Sequence, residues 1–277
     1  MSIVVKRCTS LPELFAAIKG VELPIRYLAG GTDLMVELKE NPDLAEAWFD
    51  ISDIPELKGV RVEGEDIIIG AVTPFDEIHT NEHVQKYAAC LAEAAANVGS
   101  PQIRARGTIG GNVANGSPKA DTPPALISLG AKVNIVSERG MRTVEFDDFH
   151  LDCKVTVLAP GEIIHSLSVP MRKGVQSHWK AIASRKALAI SKLSLAASVV
   201  KEGDKFSYVR LGLGAAGAKV MRAPKTEALL MQKGWNPETL AEAAQLIQTE
   251  VSPRANAAYR KAMSGVLLGD VMNEMLS

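Results

Sequence analysis

Two Gly-Gly pairs constrain this chain more than any other feature of its sequence. Gly30 and Gly31 follow Tyr27, Leu28 and Ala29, the end of a short apolar run that reads as a β-strand, and Thr32, Asp33 and Leu34 come next. Some 80 residues later, Thr108 and Ile109 lead into Gly110, Gly111 and Asn112. Adjacent glycines accept positive φ without a Cβ clash. Successive backbone N–H groups can then converge on one point and form a concave anion site. One such pair is an ordinary turn. Two pairs, each flanked by Thr and by Asp or Asn, point to two turns closing on the two phosphates of one pyrophosphate. The amides of Leu28 to Asp33 and of Ile109 to Asn112 are the expected donors, with hydroxyls from Thr32 and Thr108. Neutral donors suffice if several converge, because each net hydrogen bond to a charged group contributes about 1.5–3 kcal/mol.

Composition limits the alternatives. At 277 residues the chain suits one large domain or two modest ones. Its 31 Lys and Arg balance 32 Asp and Glu, so no global charge draws it to nucleic acid or an anionic membrane. Aromatic residues make up 5%, too few for the stacking platforms of a single-strand binder. Cys8, Cys90 and Cys153 lie far apart and form no Cys-x-x-Cys pair. Iron–sulfur clusters are usually held by four thiolates, so none is expected on this chain. The sparse, odd cysteine count argues against a disulfide framework and fits a reducing compartment. Met1 to Arg7 lacks the apolar core of a signal peptide, and no apolar run approaches the ~20 residues of a spanning helix. The expected setting is cytoplasmic, without membrane insertion.

Taken in order, the pattern is mixed α and β. A β-branched strand at Ile3 to Val5 precedes a helix over Leu11 to Lys19, with a Ser10-x-x-Glu13 capping box and Gly20 at its end. Turns around Asn41–Pro42 and Ile54–Pro55 separate this β-α-β start from a strand at Asp66 to Val72. Thr73 then caps a helix with Pro74 in its first turn, and His83 to Val98 reads as one amphipathic helix. Asp121 precedes Thr122 to Leu129 at an N-cap position; it either only caps that helix or also accepts a hydrogen bond from a ligand hydroxyl. Lys132 to Val136 and Arg142 to Phe146 form a hairpin, and Ile163 to Val169 is another strand. Arg172 to Ser177 reads as a connector, which divides the chain into residues 1–172, with halves of about 1–60 and 61–172, and residues 178–277. The second part alternates as antiparallel strands to about 220, then three helices from Pro224, Pro237 and Ala255.

Two motifs are set aside. Gly212–Leu213–Gly214–Ala215–Ala216–Gly217 matches the Gly-x-Gly-x-x-Gly dinucleotide fingerprint. Its third glycine should open a helix, but the residues after it favour a strand, and no acidic residue stands at the offset expected for ribose recognition. These glycines are expected to permit close packing in a sheet. His79 and His83 are four apart without a third ligand nearby, so no metal site is expected.

Ala29–Gly30–Gly31–Thr32–Asp33 and Thr108–Ile109–Gly110–Gly111–Asn112 resemble the paired flavin motifs of the FAD-binding subunits of molybdenum hydroxylases. Asn115–Gly116–Ser117–Pro118 with Asp121, and Ser184 to Ser191, are similar to the same family, and the resemblance spans nearly the whole chain. It implies an α+β fold: an FAD-binding domain of the vanillyl-alcohol-oxidase (PCMH) type in two α/β subdomains, then a smaller α+β domain. It also implies site residues. Asn112, Asn115, Ser117 and Asp121 would bind the ribityl chain, Val98 would lie against the adenine, Ile164 would make a backbone contact to the isoalloxazine and Lys180 would stand near the flavin. No catalytic side chain of this chain's own is implied, since the cofactor performs the electron chemistry.

The resemblance further implies a division of labour. A large molybdopterin subunit would hydroxylate the substrate, and a small subunit with two [2Fe–2S] clusters would relay electrons. This chain would hold FAD and pass electrons to NAD+ or another acceptor. A xanthine dehydrogenase-type enzyme is expected, with a nicotinate dehydrogenase-type flavin subunit as the alternative. Two further classes stay open: a self-contained FAD-dependent reductase of the same fold, and a nucleotide-binding module without catalysis.

Overall fold

A computed structural model describes residues 4–41, 46–185 and 188–276. Ile3, Pro42, Lys186 and Ala187, used above, lie outside the described residues. The chain opens with β1 (Val4–Arg7), α1 (Leu11–Ile18), β2 (Ile25–Leu28), α2 (Leu34–Glu40) and β3 (Ala47–Asp50). The strands pair in parallel in the order β1-β3-β2, with helical crossovers as parallel strands require. α1 starts as predicted: Ser10 accepts a hydrogen bond from the Glu13 N–H at 3.3 Å. The Glu13 carboxylate turns back to Thr9, one residue before the cap, accepting from its N–H at 2.8 Å and its hydroxyl at 2.9 Å. Gly20, φ +74°, follows the C-cap Lys19.

The middle of the chain runs from β4 (Val60–Glu63) and β5 (Asp66–Gly70) through α3 (Phe75–Thr80), α4 (Glu82–Tyr87), α5 (Ala89–Asn97), α6 (Pro101–Arg104), α7 (Ile109–Asn115) and α8 (Thr122–Leu129). The hairpin β6 (Lys132–Ser137) and β7 (Gly140–Glu145), α9 (Phe146–Phe149), the small ladder of β8 (His150–Asp152) and β9 (Val155–Thr156), and β10 (Ile163–Pro170) complete it. The sheet order β4-β5-β10-β6-β7 places the last strand at the centre, antiparallel to both neighbours. Ile67 and Ile69 of β5 are fully buried in its core with Phe146 and Phe149.

The remainder forms a second antiparallel sheet, β11 (Val175–Ile182), β12 (Leu193–Glu202), β13 (Lys205–Gly214) and β14 (Met221–Arg222), paired in that order. α10 (Pro224–Lys233), α11 (Pro237–Glu250) and α12 (Ala257–Leu276) bury their apolar faces on it through Leu230, Ile247 and Leu268. β11 begins at Val175, inside the expected connector, because Val175 and Gln176 already pair with Val200 and Val199 of β12.

α8 joins the two halves. All eight of its residues are buried, since it packs against β12, β13, α5 and β10. A Cβ on Gly212 would stand 1.9 Å from the Pro124 carbonyl oxygen. The Gly-x-Gly-x-x-Gly stretch therefore lets a helix backbone press onto a strand and opens no helix of its own. The last carbonyls of α8 are orphaned in the way of any helix end, and side chains from β13 and from Arg172, just before the second half, donate to them. Arg210 Nε donates to Ile127 O at 3.0 Å, Tyr208 OH to Ser128 O at 3.0 Å, and Arg172 Nη1 to Leu129 O at 2.6 Å.

Three local expectations change. The helix expected over His83 to Val98 breaks at Ala88, φ −142°. The Cys90 N–H, left without a helical acceptor, donates to Ser177 Oγ of β11 at 3.1 Å, a tertiary cap that periodicity cannot register. Pro74 rather than Thr73 takes the N-cap of α3, and the Thr73 hydroxyl donates to Gly59 O at 3.1 Å instead. The second Gly-Gly pair is not a loop, because Gly110 and Gly111 form the first turn of α7.

Candidate functional site

The two glycine turns, distant in sequence, touch in space. A Cβ on Gly30 would lie 1.8 Å from the Arg106 carbonyl oxygen and 3.0 Å from Gly107 Cα. A Cβ on Gly107 would in turn meet Thr32 Oγ1 at 3.2 Å. Beside this contact opens a cleft of about 470 Å³, a size usual for small-molecule sites. Of the residues singled out from sequence, Tyr27, Ala29, Gly30, Gly31, Thr32, Asp33, Leu34, Val98, Thr108, Gly111, Asn112 and Asn115 line it. Leu28, Ile109 and Gly110 stand outside that lining: Leu28 belongs to the β2–β3 ladder, and Ile109 and Gly110 are buried.

The turns use their amides differently. Gly31 adopts φ +74°, and among the described residues the N–H groups of Gly30, Gly31, Thr32 and Asp33 have no hydrogen-bond acceptor. The second turn departs from expectation. Ile109 N–H donates to Thr73 O at 3.2 Å, Gly110 N–H to Ala71 O at 2.8 Å and Asn112 N–H to Thr108 O at 3.0 Å. Gly111 N–H donates to Thr108 Oγ1 at 3.2 Å, the N-cap bond of α7. Those amides hold the helix in place, so only the first turn offers free backbone donors. The second offers a bare surface at Gly111, which is exposed, together with the Thr108 hydroxyl proton and the side chains of Asn112 and Asn115. Gly110 is a packing residue, for a Cβ there would stand 2.5 Å from Ala71 O.

Ser117, Asp121, Ile164 and Lys180 also fall outside the cleft lining. Ser117 Oγ accepts from the Lys119 N–H at 3.3 Å. Asp121 sits at the N-cap of α8 but makes no cap bond; it accepts from the Ser191 hydroxyl at 2.7 Å. Burial pushes its carboxyl pKa up, against the hydrogen bonds from Ser191 and Asn97. A polar line nevertheless leads from the cleft to Asp121. Asn112 Oδ1, in the lining, accepts from the hydroxyl of Thr122, the next residue, at 2.7 Å. Ile164 is buried in β10, opposite Ile135, just before a bulge at Ser166. The Lys180 ammonium bonds the Glu274 carboxylate and lies 3.5 Å from Asp270, both on α12. Its partners come from a helix about 90 positions away, which no local spacing reveals.

Arg26, Glu37, Phe75 and Ile103 line the cleft without having been predicted. Arg26 Nη2 bonds Glu37 Oε1 at 2.9 Å and its Nε bonds Glu46 Oε1 at 3.0 Å. Glu46 is buried and its Oε2 accepts from Trp48 Nε1 at 3.1 Å. The available signal was an arginine inside an otherwise apolar strand. Among the described residues the buried Tyr27 hydroxyl has no hydrogen-bond partner, and burial raises its pKa. His79 and His83 lie on separate helices, α3 and α4. Among the described residues no group of three or more His, Cys, Asp or Glu could hold a metal ion, and no helix is long and apolar enough to cross a membrane.

Comparison with known proteins agrees with this geometry. Residues 2–172 match the family model of the FAD binding domain in molybdopterin dehydrogenase, and residues 178–275 that of the CO dehydrogenase flavoprotein C-terminal domain. The chain is 30% identical to the carbon monoxide dehydrogenase medium chain of Hydrogenophaga pseudoflava over 269 residues, 95% of this chain and 93% of the relative. It is 31% identical to a xanthine dehydrogenase FAD-binding subunit of Escherichia coli O157:H7, over 83% of this chain and 80% of that one. The solved carbon monoxide dehydrogenase of H. pseudoflava superposes with a TM-score of 0.94 at 30% identity, covering 99% of this chain and 97% of its own. With both models spanning nearly its full length and the two turns meeting at one cleft, the chain belongs to the FAD-binding subunits of the molybdenum hydroxylase family.

Proposed function

We propose that the cleft holds the diphosphate of FAD between the first glycine turn and the face of α7, and that this chain is the electron-transfer subunit of a multi-subunit hydroxylase. The single observation that carries the reading is the run of unpartnered amides from Gly30 to Asp33, placed against Thr108 and the side-chain-free surface of Gly111. Buried or clefted N–H groups are ordinarily satisfied, so several open ones in a row mark a place for an external acceptor. Asn112, Asn115, Ser117 and Asp121 continue along the ribityl chain, and Val98 closes on the adenine. Ile164 and Lys180, outside the cleft lining, are assigned to the flavin ring on the family resemblance alone. Bound FAD supplies two-electron and one-electron transfer; this chain supplies its binding, orientation and exclusion of water.

In the proposed assembly a large molybdopterin subunit holds the substrate and a small subunit carries [2Fe–2S] clusters, with NAD+ or another acceptor taking the electrons from this chain. Xanthine is the substrate we put first, on the likeness to the E. coli subunit; nicotinate is the alternative, since the nicotinate dehydrogenase FAD-subunit of Eubacterium barkeri is 29% identical over 92% of this chain. Cys8, Cys90 and Cys153 are free thiols, as suits a reducing, cytoplasmic setting. Affinity purification of the tagged chain from its native source tests the assembly. One much larger and one smaller, cysteine-rich chain should co-purify with bound flavin, and the complex should oxidise xanthine in preference to nicotinate and carbon monoxide. A flavin-loaded chain that purifies alone and reduces a small substrate with NADH would replace this reading with the self-contained reductase.

A further inference from the structure

One wall of the cleft, a helical turn beyond Asp33 on α2, carries a carboxylate, Glu37, beside Arg26 of β2. Arg26 contributes one positive charge there, but it is bonded to both Glu37 and the buried Glu46. The three groups together carry a net charge of −1, which repels a phosphate. Glu46 is itself fixed by Trp48 Nε1, so the guanidinium is held from behind and in turn holds one oxygen of Glu37. Glu37 Oε1 is occupied by Arg26, while among the described residues Oε2 has no hydrogen-bond partner. A carboxylate with one oxygen anchored and the other open to a cleft is a positioned acceptor for paired hydroxyl donors. Adjacent ribose hydroxyls are such donors, and acidic side chains read them in other nucleotide folds. Asp33 also lines the cleft, but among the described residues its exposed side chain has no ion-pair or hydrogen-bond partner to orient it.

From this geometry we infer that Glu37, oriented by Arg26, recognises the 2′,3′-diol of the adenosine ribose and so fixes which way the dinucleotide lies: diphosphate at Gly30 to Asp33, adenosine sugar at the Arg26–Glu37 wall. The inference rests on the FAD reading of the cleft. It makes Glu37 a residue that selects for an intact adenosine diol and against a ribose carrying an extra phosphate, which would meet uncompensated negative charge.

The test measures binding to the apoprotein by quenching of flavin fluorescence, for FAD and for its 2′,3′-dideoxyadenosine analogue. Wild-type protein should bind FAD at least about ten-fold more tightly than the analogue, since the bond is to a charged group. In Glu37→Gln and Glu37→Ala the two ligands should bind nearly alike, with the thermal melt of each apoprotein confirming its fold. Arg26→Met should act in the same direction as Glu37→Gln, through loss of orientation. Equal binding of the two flavins by wild-type protein overturns the inference, and that comparison needs no variant. A preference that survives in Glu37→Ala and disappears in Asp33→Asn also overturns it. Failure of wild-type protein to bind FAD at all would instead remove the underlying reading of the cleft.

Discussion

Replacing Gly30 by Ala tests whether contact between the two turns builds the site. The added Cβ would stand 1.8 Å from Arg106 O, whereas real Cβ contacts essentially never fall below 3.0 Å, so the turns must part by about 1.2 Å (3.0 − 1.8). Both partners are backbone, and no side chain can swing aside to absorb the shift. Overpacking of this kind costs about 1–3 kcal/mol, which in a protein of this size lowers the melting temperature by roughly 2–12 °C. Parting the turns also draws the free amides of Gly30 to Asp33 away from Thr108, and each lost bond to a phosphate oxygen weakens FAD by about ten-fold or more. Gly111→Val supplies the contrast. Its Cβ meets only Thr108 Oγ1, at 3.0 Å, so the fold loses little beyond the N-cap bond, about 1 kcal/mol. Its side chain, however, projects onto the surface where the diphosphate is to lie. Thermal melts of the apoproteins with fluorescence titrations of FAD separate the two: Gly30→Ala loses stability and affinity together, Gly111→Val loses mainly affinity. A Gly30→Ala protein that melts and binds like wild type would show that the turns need not touch. Unchanged affinity in Gly111→Val would move the diphosphate away from α7.

Asp121→Asn should separate stability from binding. Because burial raises the folded-state pKa of Asp121, its favourable contribution is present only below its unfolded value near 3.8 and is lost as pH rises through the folded one. The Asn variant should therefore be more stable than wild type as an apoprotein at neutral pH, a gap that closes in acid melts, while binding FAD about ten-fold more weakly if the carboxylate accepts a ligand hydroxyl. His178 lies between Glu93 of α5 and Glu274 of α12, at 2.9 and 3.1 Å, and the hydrogen bond it donates to the Glu93 carboxylate leads the causes that raise its pKa. Its contribution is complete below about pH 6.5 and fades as pH rises through the raised value, so His178→Gln should flatten the melting temperature of the apoprotein across that window. Tyr208→Phe should cost about 1–3 kcal/mol in denaturant unfolding by stripping Ser128 O of its donor, with FAD affinity unchanged; a change in affinity would tie the α8 carbonyl end to the site.

Local chemistry made much of the architecture readable. Ser10 and Gly20 mark the ends of α1 because capping is satisfied within a few residues, and β6–β7 closes over its predicted turn because register is set by adjacent strands. Gly30 and Gly31 could be placed at a turn for the same reason. What escaped were positions decided by partners remote in sequence: the break at Ala88, capped by Ser177, the Lys180 ammonium claimed by α12, and the Glu46 that neutralises Arg26.

The sequence by itself determined that two glycine turns with hydroxyl and amide neighbours exist, since those properties reside in residue types at short spacing, while their flavin came from the resemblance of the motifs to a known family. Tertiary structure alone decided that Gly30 serves contact with Arg106 while Gly31 serves φ, that α7 spends its amides on Thr73 and Ala71, and that Arg26 in the cleft wall is held by two carboxylates. A glycine pair looks the same in sequence whether its missing side chains make room for a backbone, a ligand or a dihedral angle; only the atoms packed against it distinguish the three.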